Sequence, residues 1–96
     1  MAGLKLSAAA RADLSEVRQY SIEAFGPDVA DAYLRGFDKT FDLLRAHPFA
    51  GAARPEIGPG ARSFTHKRHR ILYRVDRDVV VVVRVIHHAR RVPRIS

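Results

Sequence analysis

Eight side chains between positions 62 and 87 have types that could act on a phosphodiester: Arg62, His66, Lys67, His69, Arg70, Tyr73, Arg84 and His87. Metal-independent cleavage of RNA needs a base for the 2′-hydroxyl, cations for the charged phosphorane and an acid for the leaving oxygen. The residue types suit that work, but their spacing does not. Strand alternation sends them to both faces of a sheet. Tyr73 shares an apolar face with Ile71 and Val75, which suits a core or interface aromatic. No base–cation–acid cluster emerges, and no catalytic residue is assigned. Metal ligation is no better served: His66 and His69 flank a turn, His87 and His88 point to opposite faces of a strand, and there is no cysteine. No metal or cofactor is expected. Ser7, Ser15, Ser21 and Ser63 stand in capping, helix-surface or strand contexts, without a glycine-flanked nucleophile turn.

The elements that must position these groups can be read from periodicity. Leu4-Lys5-Leu6 alternates as a short first strand, and Ser7 is a good N-cap for a helix opening on Ala8-Ala9-Ala10. Ala10, Leu14, Val17, Ala24 and Phe25 fall near helical spacing, and Gly26-Pro27 ends one helix and starts the next. In the second helix Ala30, Tyr33, Leu34, Phe37, Phe41 and Leu44 form an apolar stripe. A seam of small residues, Ala32, Gly36 and Thr40, reads as its contact with the first helix, and His47-Pro48 ends it. Pro48 to Gly60 reads as a loop. Three strands follow: Arg62 to His66, a strand carrying Ile71, Tyr73 and Val75, and Val79 to Ile86. Val80 and Val82 project oppositely to Val79, Val81 and Val83. One helical hairpin covers one face of a sheet, so one of these rows is either open to a partner or covered by the loop or the C-terminal tail.

The chain is expected to form one domain over residues 1–96. Its fold class is α+β, with an N-terminal strand and an antiparallel helical hairpin packed on one face of a mainly antiparallel sheet, in the order β-α-α-β-β-β. The absence of cysteine fits a reducing cytoplasm. The first ten residues lack the apolar stretch of a signal peptide, and the run Val79 to Val83 is too short to cross a membrane. Charge is divided sharply: residues 1–50 carry net −1 and residues 51–96 carry net +8. Such a field attracts acidic partners. Direct sequence-specific DNA binding is not expected, because no recognition helix or stacking platform is present and the helices are mildly acidic.

Taken in order, these segments resemble the ParE branch of the RelE/ParE toxins of bacterial toxin–antitoxin modules. Leu6-Ser-Ala-Ala-Ala-Arg-Ala-Asp-Leu14 is similar to the opening LSxxAxxDL of that family. Tyr20, Phe25-Gly26 and Ala32-Tyr33-Leu34 match its helices, and His47-Pro48-Phe49-Ala50-Gly51 its HPxxG loop. Pro59-Gly-Ala-Arg-Ser-Phe64, His69-Arg-Ile-Leu-Tyr-Arg-Val75 and Arg84-Val-Ile-His87 resemble its strands. The likeness covers about residues 4–94. Two positions depart from it. Lys67-Arg68 stands where the family often has a glycine turn, and Arg91 where it often has aspartate, so no family role for that aspartate carries over.

The resemblance implies a toxin that poisons DNA gyrase by binding, with no reaction catalysed. It implies neutralisation by a ParD-like antitoxin, in a hetero-oligomer, whose acidic and apolar C-terminal segment folds on binding. Tyr33, Phe37, Tyr73, Val80 and Val82 would meet the apolar side chains of that segment, and Arg62, Arg70, Arg74 and Arg84 its carboxylates. Arg84, His87, His88, Arg90 and Arg91 would face the target. The RelE branch offers the alternative, a ribosome-dependent mRNA endoribonuclease.

Overall fold

The computed structural model describes residues 1–89. Its elements are β1 (Gly3–Leu6), α1 (Ala8–Phe25), α2 (Pro27–Ala46), β2 (Ala52–Ala53), β3 (Arg62–His66), β4 (His69–Asp76) and β5 (Val79–His87). The fold is α+β, as expected. Five strands form one sheet in the order β1-β5-β4-β3-β2. β1 lies parallel to β5, from Gly3↔Val79 to Leu6↔Val82, and the remaining pairs are antiparallel. The first strand thus takes an edge of the sheet. The segment read as a loop from Pro48 to Gly60 contributes the opposite edge, because Ala52 and Ala53 pair with Ser63 and Arg62.

Local chemistry accounts for the helices. Ala10 N–H donates to Ser7 Oγ at 3.0 Å, which satisfies one of the orphan donors of the first turn of α1. Gly26, at φ 90°, ends α1 and lets α2 begin at Pro27 without strain. The buried stripe of α2 is Ala30, Phe37, Phe41 and Leu44. These pack with Ile71, Tyr73, Val80, Val82 and Val85 in the main core. Burying a Phe37-sized side chain stabilises by about 1.5–3 kcal/mol.

Two features correct the alternation reading. The register of β4 and β5 shifts between Leu72↔Arg84 and Tyr73↔Val82, so Val83 is an extra residue, a β-bulge. The bulge turns Val85 toward the helices together with Val80 and Val82, although it is an odd number of residues from both. In the small seam of α2, Gly36 and Thr40 face the sheet, not α1, and Ala32 is exposed. A Cβ on Gly36 would come within 3.1 Å of the His66 ring, and Thr40 Oγ1 lies 2.9 Å from His66 Nδ1.

The other sheet face carries a smaller core in which Ile57 and Ala61, from the loop before β3, cover Leu72 and Ile86. Both tight hairpin turns lack glycine. Lys67 and Arg77 take left-handed conformations, at φ 52° and 57°, which cost an ordinary residue roughly 1–2 kcal/mol each.

Candidate functional site

α1 is fastened to β5 at the bulge. Ser7 Oγ donates to the Val83 carbonyl at 2.7 Å. Asp13 Oδ2 accepts from Val85 N–H at 2.9 Å and from Arg84 Nε at 2.7 Å, while Asp13 Oδ1 accepts from Arg84 Nη2 at 3.0 Å. β1 has already ended at Leu6, so the Asp13 carboxylate supplies the acceptor that a longer β1 would have supplied. A bidentate pair of this kind is a strong, well-oriented contact.

Beyond this fastening, the hairpin and the sheet diverge and leave a cleft of about 610 Å³. Its walls are Val17, Tyr20 and Phe25 of α1, Val29 and Tyr33 of α2, and Val85, Ile86 and His87 of β5, with Arg68 and His69 at one end. Tyr20, Phe25 and Val29 are 68%, 63% and 52% exposed. Large apolar side chains gathered this openly on one concave surface mark a binding site.

The rim at Arg68 and His69 is polar and basic. Tyr33 Oη lies 2.7 Å from His69 Nδ1, and the His69 and His87 rings meet edge to face with centroids 5.4 Å apart. Burial, with the neighbouring His87, His66 and His88 imidazoles adding to it, pushes His69 down to about 4. Burial also lowers His66, beside Lys67, and raises the Tyr33 phenol. His69 is therefore neutral at pH 7, and its Nδ1 can accept a hydrogen bond from the Tyr33 hydroxyl. Cation and base do not converge on one point, because Arg68 belongs to a turn and His88 Nδ1 contacts the Arg68 carbonyl at 3.1 Å. Among the described residues, no three His, Cys, Asp or Glu side chains are disposed to hold a metal ion.

The residues singled out from the sequence separate into three groups. Tyr33 lines the cleft, and His87 and His88 are exposed beside it. Phe37, Tyr73, Val80 and Val82 are at most 1% exposed and belong to the core, so they have no surface to offer a partner. The bulge and the covering hairpin turn them inward. Arg84 is not a free docking cation, since Asp13 engages it on two nitrogens. Arg62 is drawn into the molecule as well, with Nη1 donating to the Gly51 carbonyl at 2.8 Å. Arg74 is exposed and Arg70 half-buried. Arg90 and Arg91 lie outside the described residues. Tyr20, Phe25, Val29 and Arg68 were missed. Their signal was available: Tyr20, Phe25 and Val29 are large apolar residues off the buried stripes, gathered around Gly26.

A strand, a helical hairpin and a sheet, with an open apolar cleft between them, define a class that solved structures identify. The fold is shared with a chain of the chromosomal ParDE toxin–antitoxin system from P. aeruginosa, at a TM-score of 0.78 and 25% identity, covering 91% of this chain and 96% of that one. It is also shared with a chain of the RelBE2 toxin–antitoxin complex from Mycobacterium tuberculosis, at a TM-score of 0.63 and 27% identity, covering 90% and 96%. Within that class the chain belongs to the ParE toxins. The family described as the ParE toxin of the type II toxin–antitoxin system parDE matches residues 4–92. Toxin ParE1 of Mycobacterium tuberculosis is 38% identical over 90 residues, spanning 93% of this chain and 92% of the relative.

Proposed function

We propose that this chain is a cytoplasmic toxin that inhibits DNA gyrase by binding, and that a ParD-like antitoxin silences it by seating an amphipathic segment in the cleft. The observation that carries the antitoxin half is the cleft itself, with Tyr20, Phe25 and Val29 exposed. A segment that folds on binding can cover such a surface with apolar residues at helical spacing. Its acidic groups would meet Arg68, which belongs to the strongly basic half of the chain, residues 51–96. The gyrase half rests on membership of the ParE family. Loss of supercoiling would come from occupation of gyrase and would need no catalytic group.

The Tyr33–His69 pair beside Arg68 and His87 is the one observation that favours a second reading, ribosome-dependent mRNA cleavage. The test is to free the toxin from its antitoxin and assay supercoiling by purified gyrase and cleavage of ribosome-bound mRNA. Blocked supercoiling with intact mRNA is expected. Cleaved mRNA with normal supercoiling would reverse the assignment.

A further inference from the structure

We propose that the exposed corner formed by Phe49, Ala50, Ala52 and Ala53 is the surface with which the toxin grips its target protein, separate from the cleft left to the antitoxin. The proposal rests on the reading of the chain as a toxin that acts by binding a protein, whichever protein that is.

The cleft runs along the first two turns of α2 and the corner follows its last turn. The stretch of helix from Tyr33 to Ala46 separates them by about 20 Å. Phe49 is 66% exposed, and Ala50, Ala52 and Ala53 are exposed with it. Exposed loops of small residues are ordinarily mobile, but this one is fixed on both sides of the aromatic ring. Tyr73 Oη donates to the Pro48 carbonyl at 2.7 Å and accepts from Gly51 N–H at 2.8 Å. Arg62 Nη1 reaches the carbonyls of Gly51 and Phe49, at 2.8 and 3.4 Å, and the guanidinium lies 4.9 Å from the centroid of the Phe49 ring. A buried tyrosine and a strand arginine therefore order a segment whose largest side chain packs into no core. An aromatic side chain held out to solvent in one orientation has little freedom left to lose on docking, which is the property of an interface anchor.

The local electrostatics select the kind of partner. Arg62 is spent on backbone carbonyls, and Arg54 is paired with Glu56 at 2.6 Å. A nucleic acid stacked on Phe49 would need free cations to follow its phosphates, whereas the arginine beside the ring, Arg62, and the next one along the chain, Arg54, are both committed. β2 is two residues long and is followed by Arg54-Pro55, which is too short and too interrupted to accept an added strand. The fitting partner is a protein with a shallow apolar pocket that takes the free face and edge of the ring.

The test compares Phe49→Ser, Ala52→Glu and the control Lys39→Ser with the unaltered chain, each induced in a bacterial host. Growth arrest is scored, and each purified protein is melted and assayed against gyrase. Phe49→Ser and Ala52→Glu should fold normally and need roughly 30-fold or more protein for the same arrest. Lys39→Ser, an exposed change on α2 outside both surfaces, should arrest growth as the unaltered chain does. Full arrest by both corner variants overturns the proposal. If Phe49→Ser melts early, Ala52→Glu, which alters an exposed side chain, decides alone. Arrest by the unaltered chain with gyrase unaffected removes gyrase as the target, and the corner is still judged by its variants. Absence of arrest by the unaltered chain overturns both readings. Binding of a single-stranded oligouridine that is lost in Phe49→Ser would make the corner a nucleic-acid surface and overturn its assignment to a protein.

Discussion

The two ends of the helical hairpin are built on opposite principles. At the Gly26 end, hairpin and sheet part company, and Tyr20, Phe25 and Val29 stand in solvent around an open cleft. At the Pro48 end, the backbone is closed down by Tyr73 and Arg62. The first end exposes apolar area without ordering it tightly. The second invests buried hydrogen bonds in ordering a short exposed stretch. Side chains that order the backbone and side chains offered to the antitoxin are thus segregated along α2. Substitutions at the two ends should separate stability from antitoxin binding.

The largest effect is expected at Gly51. A Cβ there would lie 2.6 Å from Tyr73 Oη and 2.8 Å from the Ser63 carbonyl, and backbone cannot yield as a flexible side chain can. Gly51→Ala should cost about 3 kcal/mol, read as a lower urea midpoint with unchanged slope. An unaltered midpoint would mean that the Pro48 end is not closed as described.

Tyr73→Phe comes next. It removes one hydroxyl and leaves Gly51 N–H and the Pro48 carbonyl without their partner, at a cost of about 2 kcal/mol in the same measurement. A smaller cost would show water entering in place of the hydroxyl.

Acid should act at the other end. His69 faces Tyr33 from α2, Lys67 and Arg68 from the turn, His66 from β3, and His87 and His88 from the end of β5. Its folded value of about 4 lies below the ordinary 6.5. Between those values the unfolded chain binds the proton more readily, so this contribution is complete above pH 6.5 and is lost as the pH falls toward 4. Partial solvent exposure of the ring keeps the loss to about 1–2 kcal/mol. Urea melts at pH 7 and pH 5, with the His69 ring followed by NMR, would measure it. A stability that does not fall with acid would mean that the ring is freely solvated.

The smallest effect on stability sharpens the contrast most. Phe25→Ser should change stability by no more than about 0.5 kcal/mol, because the side chain is already 63% exposed. It should nevertheless weaken antitoxin binding about tenfold or more, measured by calorimetry on the purified pair. Unchanged affinity would take the cleft out of the antitoxin interface.

Much of this architecture was legible in the sequence. The stripe of α2, the Ser7 cap, the Gly26-Pro27 junction and the three C-terminal strands follow from local rules and from family resemblance. The parallel pairing of β1 with β5 does not, because Gly3 and Val79 are brought together only by the complete fold. Nor does the bulge at Val83, since a run of five valines gives no residue that marks the slip. That one residue placed Val85 with Val80 and Val82, facing the helices. Gly36 and Thr40 were read as a helix–helix seam because small residues suit that role equally well, and their true neighbour, His66, is distant in sequence. Arg84 looked like a free cation until Asp13 was brought beside it.

The parallel pairing of β1 with β5 also orders events in time. β5 lies between β1 and β4, and it is made last among the described strands. A nascent chain therefore carries β1 and α1 through most of synthesis without the strand on which they dock. Such long-range closure is slow compared with local helix formation. Val85, Ile86 and His87 form the sheet wall of the cleft, so the surface that a partner recognises comes into being only when the fold closes. The chain gains its tertiary structure and its cleft in the same step.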